Sequence, residues 1–392
     1  MNEKDALRNV QLYKLYKSFG EPLMWGPILI SCLMNLGHMK ISEIYFMESI
    51  VLVGTIFLQI PMGALADIYG RKITVLIGSV FLSASIILFS RIYSPMSSWI
   101  ANIVWMIGFS MCSGADSAFL YDSLKSLGRE NEYKKIEGSA IGNRLLITAI
   151  CSIFVGYLAE YYIRLPIILS IPGVVFSTIA VFFFKERSRN RKYTHREQID
   201  VMKVSILFVS NHKKVKWIIF FVTLIGVTSK VWFFTYNPYF EFVRLDLKFY
   251  GIVFFALNIV AWFFSKKASY ISEKVSDQNI MILLILLIAI PILVMSSIPS
   301  VFCVGMVLFQ NVARGFMVPF FGEFMNRHLD RENRATVLSI QSAVSGFAQF
   351  IALRSFGILL KTYSLLFCLQ MLGIIVLVLG GLAILKFKKI FK

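Results

Sequence analysis

The sequence Gly-Ala-Leu-Ala-Asp-Ile-Tyr-Gly-Arg-Lys, residues 63–72, lies between two apolar runs that are each long enough to span a membrane, and we call it the elbow. Gly63 permits close approach of two helices, and Gly70 permits a tight turn. Asp67 lies where the first helix is expected to end. Arg71 and Lys72 favour the cytoplasmic side of a membrane. The elbow therefore predicts two spans joined by a short cytoplasmic turn, with an ordinary basic loop as the alternative.

The composition is that of a membrane protein. The chain has 392 residues, of which 57% are hydrophobic and 16% are charged, and its mean hydropathy is +0.71. A soluble globule of this size needs more polar surface than this. We therefore expect an all-α integral membrane protein. The net charge of +18 lies in short loops beside apolar runs, where topology and anionic membrane lipid explain it, so nucleic acid is not an expected partner.

Apolar runs of about 20 residues predict transmembrane helices. Twelve runs reach this length, and their approximate limits are 14–36, 43–64, 73–93, 97–124, 138–162, 165–184, 216–240, 249–270, 279–298, 300–326, 336–360 and 363–385. With the N-terminus inside, the cytoplasmic segments hold 30 of the 40 Lys and Arg residues. This asymmetry predicts that both termini are cytoplasmic. The first run lacks a small-residue cleavage site, so we expect it to remain as a span.

A long basic stretch, residues 185–215, divides the chain nearly in half. We expect an N-terminal six-helix bundle over residues 1–184, a cytoplasmic linker over 185–215 and a C-terminal six-helix bundle over 216–392. The linker begins with charges that indicate disorder, and its later apolar patch, 201–209, fits an interfacial helix.

The two halves are weakly similar. Residues 121–124 and 129–131 resemble 322–325 and 331–333, and residues 65–71 resemble the degraded copy 271–277. All three matches are offset by about half the chain. Matches of this kind in corresponding loops indicate two six-span repeats around a central site.

The elbow resembles the loop motif of the major facilitator superfamily of secondary transporters, and the repeat extends this resemblance over the whole chain. The resemblance implies twelve transmembrane helices in two six-helix repeats and transport by alternating access; we expect a monomer. It also implies a cytoplasmic gate, in which Asp67 approaches the eleventh span near Thr336 and Arg71 pairs with Asp122. The gating residues expected are Gly63, Asp67, Gly70, Arg71, Lys72, Asp122, Glu273 and Glu323.

Two segments, 121–124 and 326–336, are similar to those of bacterial efflux-type members. This similarity implies a location in the bacterial cytoplasmic membrane and favours export coupled to protons. However, the fourth span has no Arg and the fifth has no Pro, whereas the proton-driven drug exporters have an Arg-Gly pattern and a Gly-Pro-Gly-Gly pattern there. Proton antiport is therefore one option, and import of a small, possibly anionic metabolite is another.

Intramembrane charges are candidates for the functional site because an ion in hydrocarbon is unfavourable and usually faces a cavity or a partner. Glu21, Asp116, Lys230 and Arg314 lie in spans 1, 4, 7 and 10, which line the central cavity in the superfamily. The acids of the first half could approach the bases of the second half. Static pairs are the alternative.

Arg144 lies in the fifth span within reach of Asp116 or Asp122, so Asp116 either titrates or is held in an ion pair. Trp25 follows Glu21 by four residues and is expected on the same helical face. The substrate and proton site expected from these residues comprises Glu21, Trp25, Asp116, Arg144, Lys230, Trp232, Asn311 and Arg314. The partners expected are a small amphipathic substrate, a proton or other coupling ion, and membrane lipid.

The sequence gives no sign of enzymatic chemistry. Its four histidines are scattered near loops, and its five cysteines lie in apolar runs without metal-like spacing. We therefore expect no catalytic residue, no metal and no cofactor. A Gly-Lys-Ser/Thr nucleotide loop is absent from the sequence, so an ion gradient is expected to supply the energy. A lipid flippase and a non-transporting sensor remain as alternatives of other classes.

Overall fold

A computed structural model describes residues 3–186, 212–328 and 331–391. Its described part consists of helices, turns and loops, without a β-strand. The α-helices, numbered in chain order, are α1 Glu3–Phe19, α2 Leu29–Asn35, α3 Ile41–Tyr69, α4 Arg71–Phe89, α5 Pro95–Cys112, α6 Ala115–Lys125, α7 Tyr133–Tyr161, α8 Leu165–Phe182, α9 Lys213–Phe242, α10 Lys248–Lys274, α11 Asp277–Ser297, α12 Val307–His328, α13 Arg331–Thr362 and α14 Leu365–Phe391. Short 3₁₀ helices cover Glu130–Glu132 and Phe302–Met306.

Eleven segments in the described part are long and apolar enough to cross a membrane, which confirms the all-α membrane fold. The predicted count of twelve is wrong for the first span. Residues 14–36 do not form one helix, because α1 ends at Phe19 and α2 begins only at Leu29. Gly20, Pro22, Gly26 and Pro27 lie in the intervening segment, and residues of these two types interrupt helices.

The fourth predicted span also contains a break. Helix α5 ends at Cys112, and Gly114 precedes α6 with φ +83°, a conformation that glycine adopts without strain. Helix α5 begins with a capping box, in which Ser94 Oγ accepts from the Ser97 amide and the Ser97 hydroxyl binds the Ser94 amide in return. The break directs the start of α6, which carries Asp116, into the buried interior.

The elbow forms the tight turn that its sequence predicts. Helix α3 ends at Tyr69 and α4 begins at Arg71, so Gly70 alone separates them. Gly70 has φ +98°, which disfavours any other residue type. Asp67 therefore lies in the last turn of α3, and Arg71 and Lys72 begin α4.

The contacts divide the chain into two units. The first comprises Met1–Lys40, Ile50–Tyr193 and Asp246–Phe255, and the second comprises Ile41–Ser49, Thr194–Leu245 and Ala256–Lys392. In the first unit, α4 packs against α5 and α8, and α1 packs against α6, α7 and α8. In the second unit, α11 packs against α12 and α14, and α9 packs against α13 and α14.

The domain boundaries expected from the sequence, with an N-terminal bundle over 1–184, a linker over 185–215 and a C-terminal bundle over 216–392, stay a prediction. Most of the 185–215 linker, with its expected interfacial helix, lies outside the described residues.

Helices α4 and α5 approach closely at a pair of glycines. A Cβ on Gly78 would lie 2.7 Å from Cys112 Sγ and 2.9 Å from the Gly108 carbonyl oxygen. Backbones that approach this closely exclude even a methyl group. By contrast, a Cβ on Gly138 of α7 would meet no described atom within 4 Å.

We therefore expect Gly78→Ala to destabilise the detergent-purified protein by about 1–3 kcal/mol through overpacking. Thermal unfolding followed by tryptophan fluorescence measures this effect. Gly138→Ala is the matched control, and its expected effect is neutral or stabilising because alanine is the better helix former. Equal melting temperatures for the two variants would show that the α4–α5 contact tolerates a side chain.

Candidate functional site

Three helices of the first unit bring a lysine and two carboxylates together. Lys17 of α1 has its Nζ 2.5 Å from Asp116 Oδ2 of α6 and 3.9 Å from Glu137 Oε1 of α7. The Asp116 side chain is only 6% exposed. Because burial removes water from these charges, each depends on its protein partners. We call these three residues the ion triad.

Hydrogen bonds complete the surroundings of both carboxylates. The Ser117 backbone amide donates to Asp116 Oδ1 at 2.6 Å, and the Tyr16 hydroxyl donates to Asp116 Oδ2 at 3.4 Å. Glu137 accepts from the Tyr13 hydroxyl at 2.5 Å and from the Ser117 hydroxyl at 3.3 Å. Glu137 thus lies in a polar environment but is farther than Asp116 from the lysine charge.

Arg144 pairs with Glu21, and not with Asp116 or Asp122 as the sequence had suggested. The reason is local: Asp116 already contacts Lys17, and Asp122 contacts Arg71. Lys17 and Arg144 also interact electrostatically. The triad and this pair therefore form one cluster that contains three carboxylates and two cations.

Trp25 does not share a helical face with Glu21, contrary to the sequence prediction. Both residues lie in the non-helical segment between α1 and α2. The Trp25 ring instead packs edge-on against Phe89, with ring centroids 5.5 Å apart, and lies 6.2 Å from the ring of Trp105. Within the first unit, Trp25 is part of an aromatic packing contact.

At the elbow, the Arg71 guanidinium forms an ion pair with Asp122, the pair that the family resemblance implies. Arg71 Nη1 also donates to the Ala118 carbonyl oxygen at 2.6 Å. Glu186, just after α8, adds a contact that the sequence did not indicate. Its carboxylate accepts from the backbone amides of Arg71 at 3.0 Å and Lys72 at 2.8 Å. An anion at this position stabilises the first turn of α4.

Two expectations about the elbow are not met in the described part. Gly63 is exposed, and a Cβ there would meet no described atom within 4 Å, so the close helix approach expected at this glycine is not seen. The side chain of Thr336, the expected partner region of Asp67, lies outside the described residues. The role of Asp67 in the cytoplasmic gate stays a prediction.

The corresponding turn of the second unit carries the opposite charges. Asp277, which aligns with Arg71 in the repeat, begins α11 and pairs with Arg327 Nη2 at 2.9 Å. Glu323, which aligns with Asp122, lies 3.7 Å from the Nε atom of the same Arg327. Glu273 is exposed, and the described residues give it no ion pair. The ion pair thus recurs with its signs exchanged.

A small polar pocket lies within the second unit, between α9, α11 and α12. It has a volume of about 40 Å³, enough for a few water molecules, and Trp232, Tyr236, Asn311 and Arg314 contribute to its lining. Trp232 and Asn311 are each only 1% exposed. Neither Trp232 Nε1 nor Asn311 Oδ1 has a hydrogen-bond partner among the described residues. One unpaired donor and one unpaired acceptor thus belong to two side chains that line the same pocket, and a buried polar atom without a partner is unfavourable.

The two predicted site cations of the second unit, Lys230 and Arg314, lack a bonded carboxylate in the described part of the chain. Arg314 Nη2 donates to Asn258 Oδ1 at 3.1 Å. Lys230 lies 5.0 Å from the centroid of the Phe234 ring and interacts electrostatically with Glu48. Neither cation makes a salt bridge within 4.0 Å there. This differs from the first unit, in which Glu21 and Asp116 both have bonded cations.

Lys17 and Glu137 are the site residues that sequence reasoning missed. Lys17 lies near the start of the predicted first span, 14–36, and Glu137 lies just before the predicted fifth span, 138–162; charges at span ends do not by themselves indicate an intramembrane site. The spacing of polar side chains in α1 could have indicated Lys17, because Tyr13, Tyr16 and Lys17 lie three and four residues apart and so share one helical face.

A family model of the Major Facilitator Superfamily matches residues 24–353. The chain belongs to the Major Facilitator Superfamily. This protein is therefore a multi-pass membrane transporter and not an enzyme. None of the curated proteins matches the chain in sequence.

Solved structures of other transporters share the fold at low sequence identity. The nucleoside transporter NupG is 15% identical, with a TM-score of 0.72 and 100% of both chains covered. A D-xylose-proton symporter is 14% identical, with a TM-score of 0.71 and coverage of 98% of this chain and 97% of the other. A POT family transporter in complex with 5-aminolevulinic acid is 12% identical, with a TM-score of 0.74 and coverage of 99% and 96%. These likenesses show the fold alone.

The ion triad yields a stability prediction. Lys17→Gln leaves two buried carboxylates without their cation and is expected to destabilise the protein by about 3 kcal/mol. Adding Asp116→Asn removes one of those carboxylates and should restore part of the loss, so the two substitutions are non-additive. Thermal unfolding of the single and double variants in one detergent measures the coupling. Lys14→Gln, one turn earlier in α1, is the control, and strictly additive effects would contradict the triad.

The elbow yields a functional prediction. Asp67→Asn is expected to reduce transport several-fold at unchanged expression, because the substitution removes the charge near the end of α3 while conserving the side-chain shape. Asp246→Asn, in an exposed loop pair with Lys248, is the matched control. Substrate flux in proteoliposomes containing equal amounts of each variant measures the effect. Unchanged flux with Asp67→Asn would rule out a gating role for Asp67.

Proposed function

We propose that this protein is a proton-coupled secondary transporter that exports a small amphipathic molecule across the bacterial cytoplasmic membrane. It works by alternating access, as a monomer with both termini in the cytoplasm. The observation that carries the coupling is the charge balance of the first unit: three carboxylates, Glu21, Asp116 and Glu137, share only two cations, Lys17 and Arg144. One proton would balance this excess of one negative charge.

Glu137 is the group that would take the proton. Lys17 lies 2.5 Å from Asp116 and 3.9 Å from Glu137, so Asp116 is the better neutralised of the two carboxylates. The Glu137 side chain is 15% exposed, which leaves its charge poorly hydrated. A protonated Glu137 can donate to the Tyr13 hydroxyl, which lies 2.5 Å away. Proton uptake and release at Glu137 would then weaken and restore the attraction between Lys17 and α7, while the ion pair between Lys17 and Asp116 of α6 remains.

The substrate would contact the second unit. The unpaired Trp232 Nε1 offers a donor and Asn311 Oδ1 an acceptor, and Arg314 supplies a charge beside them. Aromatic neighbours of the pocket suit the apolar part of an amphipathic molecule. The 40 Å³ volume admits only part of such a molecule, so the pocket would bind a polar group and leave the remainder outside it.

Import of a small anionic metabolite is the second candidate function. It is favoured by Lys230 and Arg314, which have no bonded carboxylate among the described residues and so offer positive charge to a ligand. The two candidates differ in the direction of substrate movement relative to protons.

The test uses proteoliposomes under an imposed pH gradient, with ligands first selected by thermal shift from a panel of neutral, cationic and anionic compounds. We expect a ligand to move opposite to the protons. Glu137→Gln should abolish gradient-driven accumulation while ligand counterflow persists, because the amide copies the neutral carboxyl group but cannot exchange a proton.

Glu132→Gln is the control, since Glu132 is at the surface in an ion pair with Arg129. Movement of ligand in the same direction as the protons would replace export with the import candidate. Full gradient-driven transport by Glu137→Gln would exclude Glu137 as the coupling site.

A further inference from the structure

A groove in the second unit lies between the start of α9 and the end of α14. Its volume is about 400 Å³. Lys213, Lys216 and Lys386 line it together with the apolar residues Phe220, Leu379 and Leu382. The three lysines are exposed, and half of the Leu382 surface is exposed as well. The groove therefore presents charge and apolar surface side by side.

The positive charge of this groove is uncompensated in the described part of the chain. None of the three lysines forms an ion pair within 4.0 Å there. The sequence of α14 contains no Asp or Glu, and the only acid of α9 is Glu241, at its opposite end. Lys388 and Lys389 add further positive charge nearby. An anionic group is thus the ligand that the groove favours.

The charge and the apolar surface are separated along the helix axes. Lys213 and Phe220 are seven residues apart in α9, as are Lys386 and Leu379 in α14, which corresponds to about 10 Å along each helix. Lys213 and Lys386 therefore lie toward one end of the groove, and Phe220 and Leu379 lie toward the other. This arrangement matches a phospholipid, whose charged headgroup adjoins its acyl chains.

The groove has a rigid wall. The Trp217 indole Nε1 donates to the Ala383 carbonyl oxygen at 2.8 Å, which joins α9 to α14. The Trp217 ring packs against Phe387 and Phe391, with centroids 5.2 and 5.4 Å away.

We propose that this groove binds one anionic phospholipid, with the phosphate between Lys213, Lys216 and Lys386 and an acyl chain along Phe220, Leu379 and Leu382. The site is distinct from the polar pocket, because Lys216 and Trp232 are sixteen residues apart in α9, about 24 Å along the helix. The lipid would hold the end of α14 against α9.

Native mass spectrometry of the full chain in a non-ionic detergent tests this proposal with phosphatidylglycerol and phosphatidylcholine of identical acyl chains. We expect one phosphatidylglycerol to bind about tenfold or more tightly than phosphatidylcholine, since each lysine near the headgroup attracts the anion. The triple variant Lys213→Gln, Lys216→Gln and Lys386→Gln should lose this preference. The control Lys125→Gln, Lys134→Gln and Lys135→Gln removes equal charge from the first unit and should retain it.

Glycerol 3-phosphate, which carries a phosphate without acyl chains, separates a lipid site from a phosphate site. We expect it to compete only weakly, because it does not contact the apolar residues. Equal competition by glycerol 3-phosphate would overturn the lipid assignment. Equal loss of phosphatidylglycerol in the two triple variants would show that net charge, and not this groove, attracts the lipid.

Discussion

The ammonium group of Lys17 joins three helices because both Asp116 and Glu137 face it. A lysine and an aspartate that are largely withdrawn from water are stable only while each neutralises the other. Helix α1 must therefore extend inward as far as Lys17, the Gly114 break must direct α6 toward it, and α7 must begin beside both. The glycines and prolines that end α1 come immediately after this lysine. In this way, one ion pair constrains the ends of three helices in the first unit.

The two halves use the same loop position for an ion pair, but they exchange its charges. The first unit has Arg71 at the turn and Asp122 on α6, whereas the second has Asp277 at the turn and Arg327 on α12. The attraction between the two charges of an ion pair is the same when they are exchanged, so a duplicated loop can keep the contact while its sequence diverges. The helix ends do distinguish the polarities. Asp277 at the start of α11 is favoured by the helix dipole, whereas Arg71 at the start of α4 is not, and Glu186 supplies the missing negative charge there.

The features that the sequence predicted well depend on short stretches of chain. The elbow turn follows from Gly70 and its neighbours, and eleven spans follow from their hydropathy, because backbone hydrogen bonds in lipid must be satisfied within each helix. Hydropathy averaged over 20 residues could not show the break at Gly20 to Pro27, since the flanking residues are apolar. The same average places Lys17 and Glu137 at the ends of predicted spans, where it does not distinguish a buried charge from an exposed one. The contact between Lys17 and Glu137 depends on which helix faces pack together. Arg144 pairs with Glu21 because Asp116 and Asp122 already pair with Lys17 and Arg71.

The distribution of charge suggests separate roles for the two halves, with proton binding in the first unit and ligand binding in the second. In the first unit the carboxylates already contact cations, so a ligand gains little by competing for them, whereas a proton alters the balance of the whole cluster. In the second unit the side chains that line the pocket include an indole and an amide, each with one polar atom that lacks a partner among the described residues, and an arginine whose described hydrogen bond is to a neutral amide. Unpaired polar groups are destabilising in the empty state, and this makes ligand binding more favourable when the ligand satisfies them. If the cluster takes up the proton and the pocket binds the ligand, as proposed, coupling requires both to respond to the same conformational change.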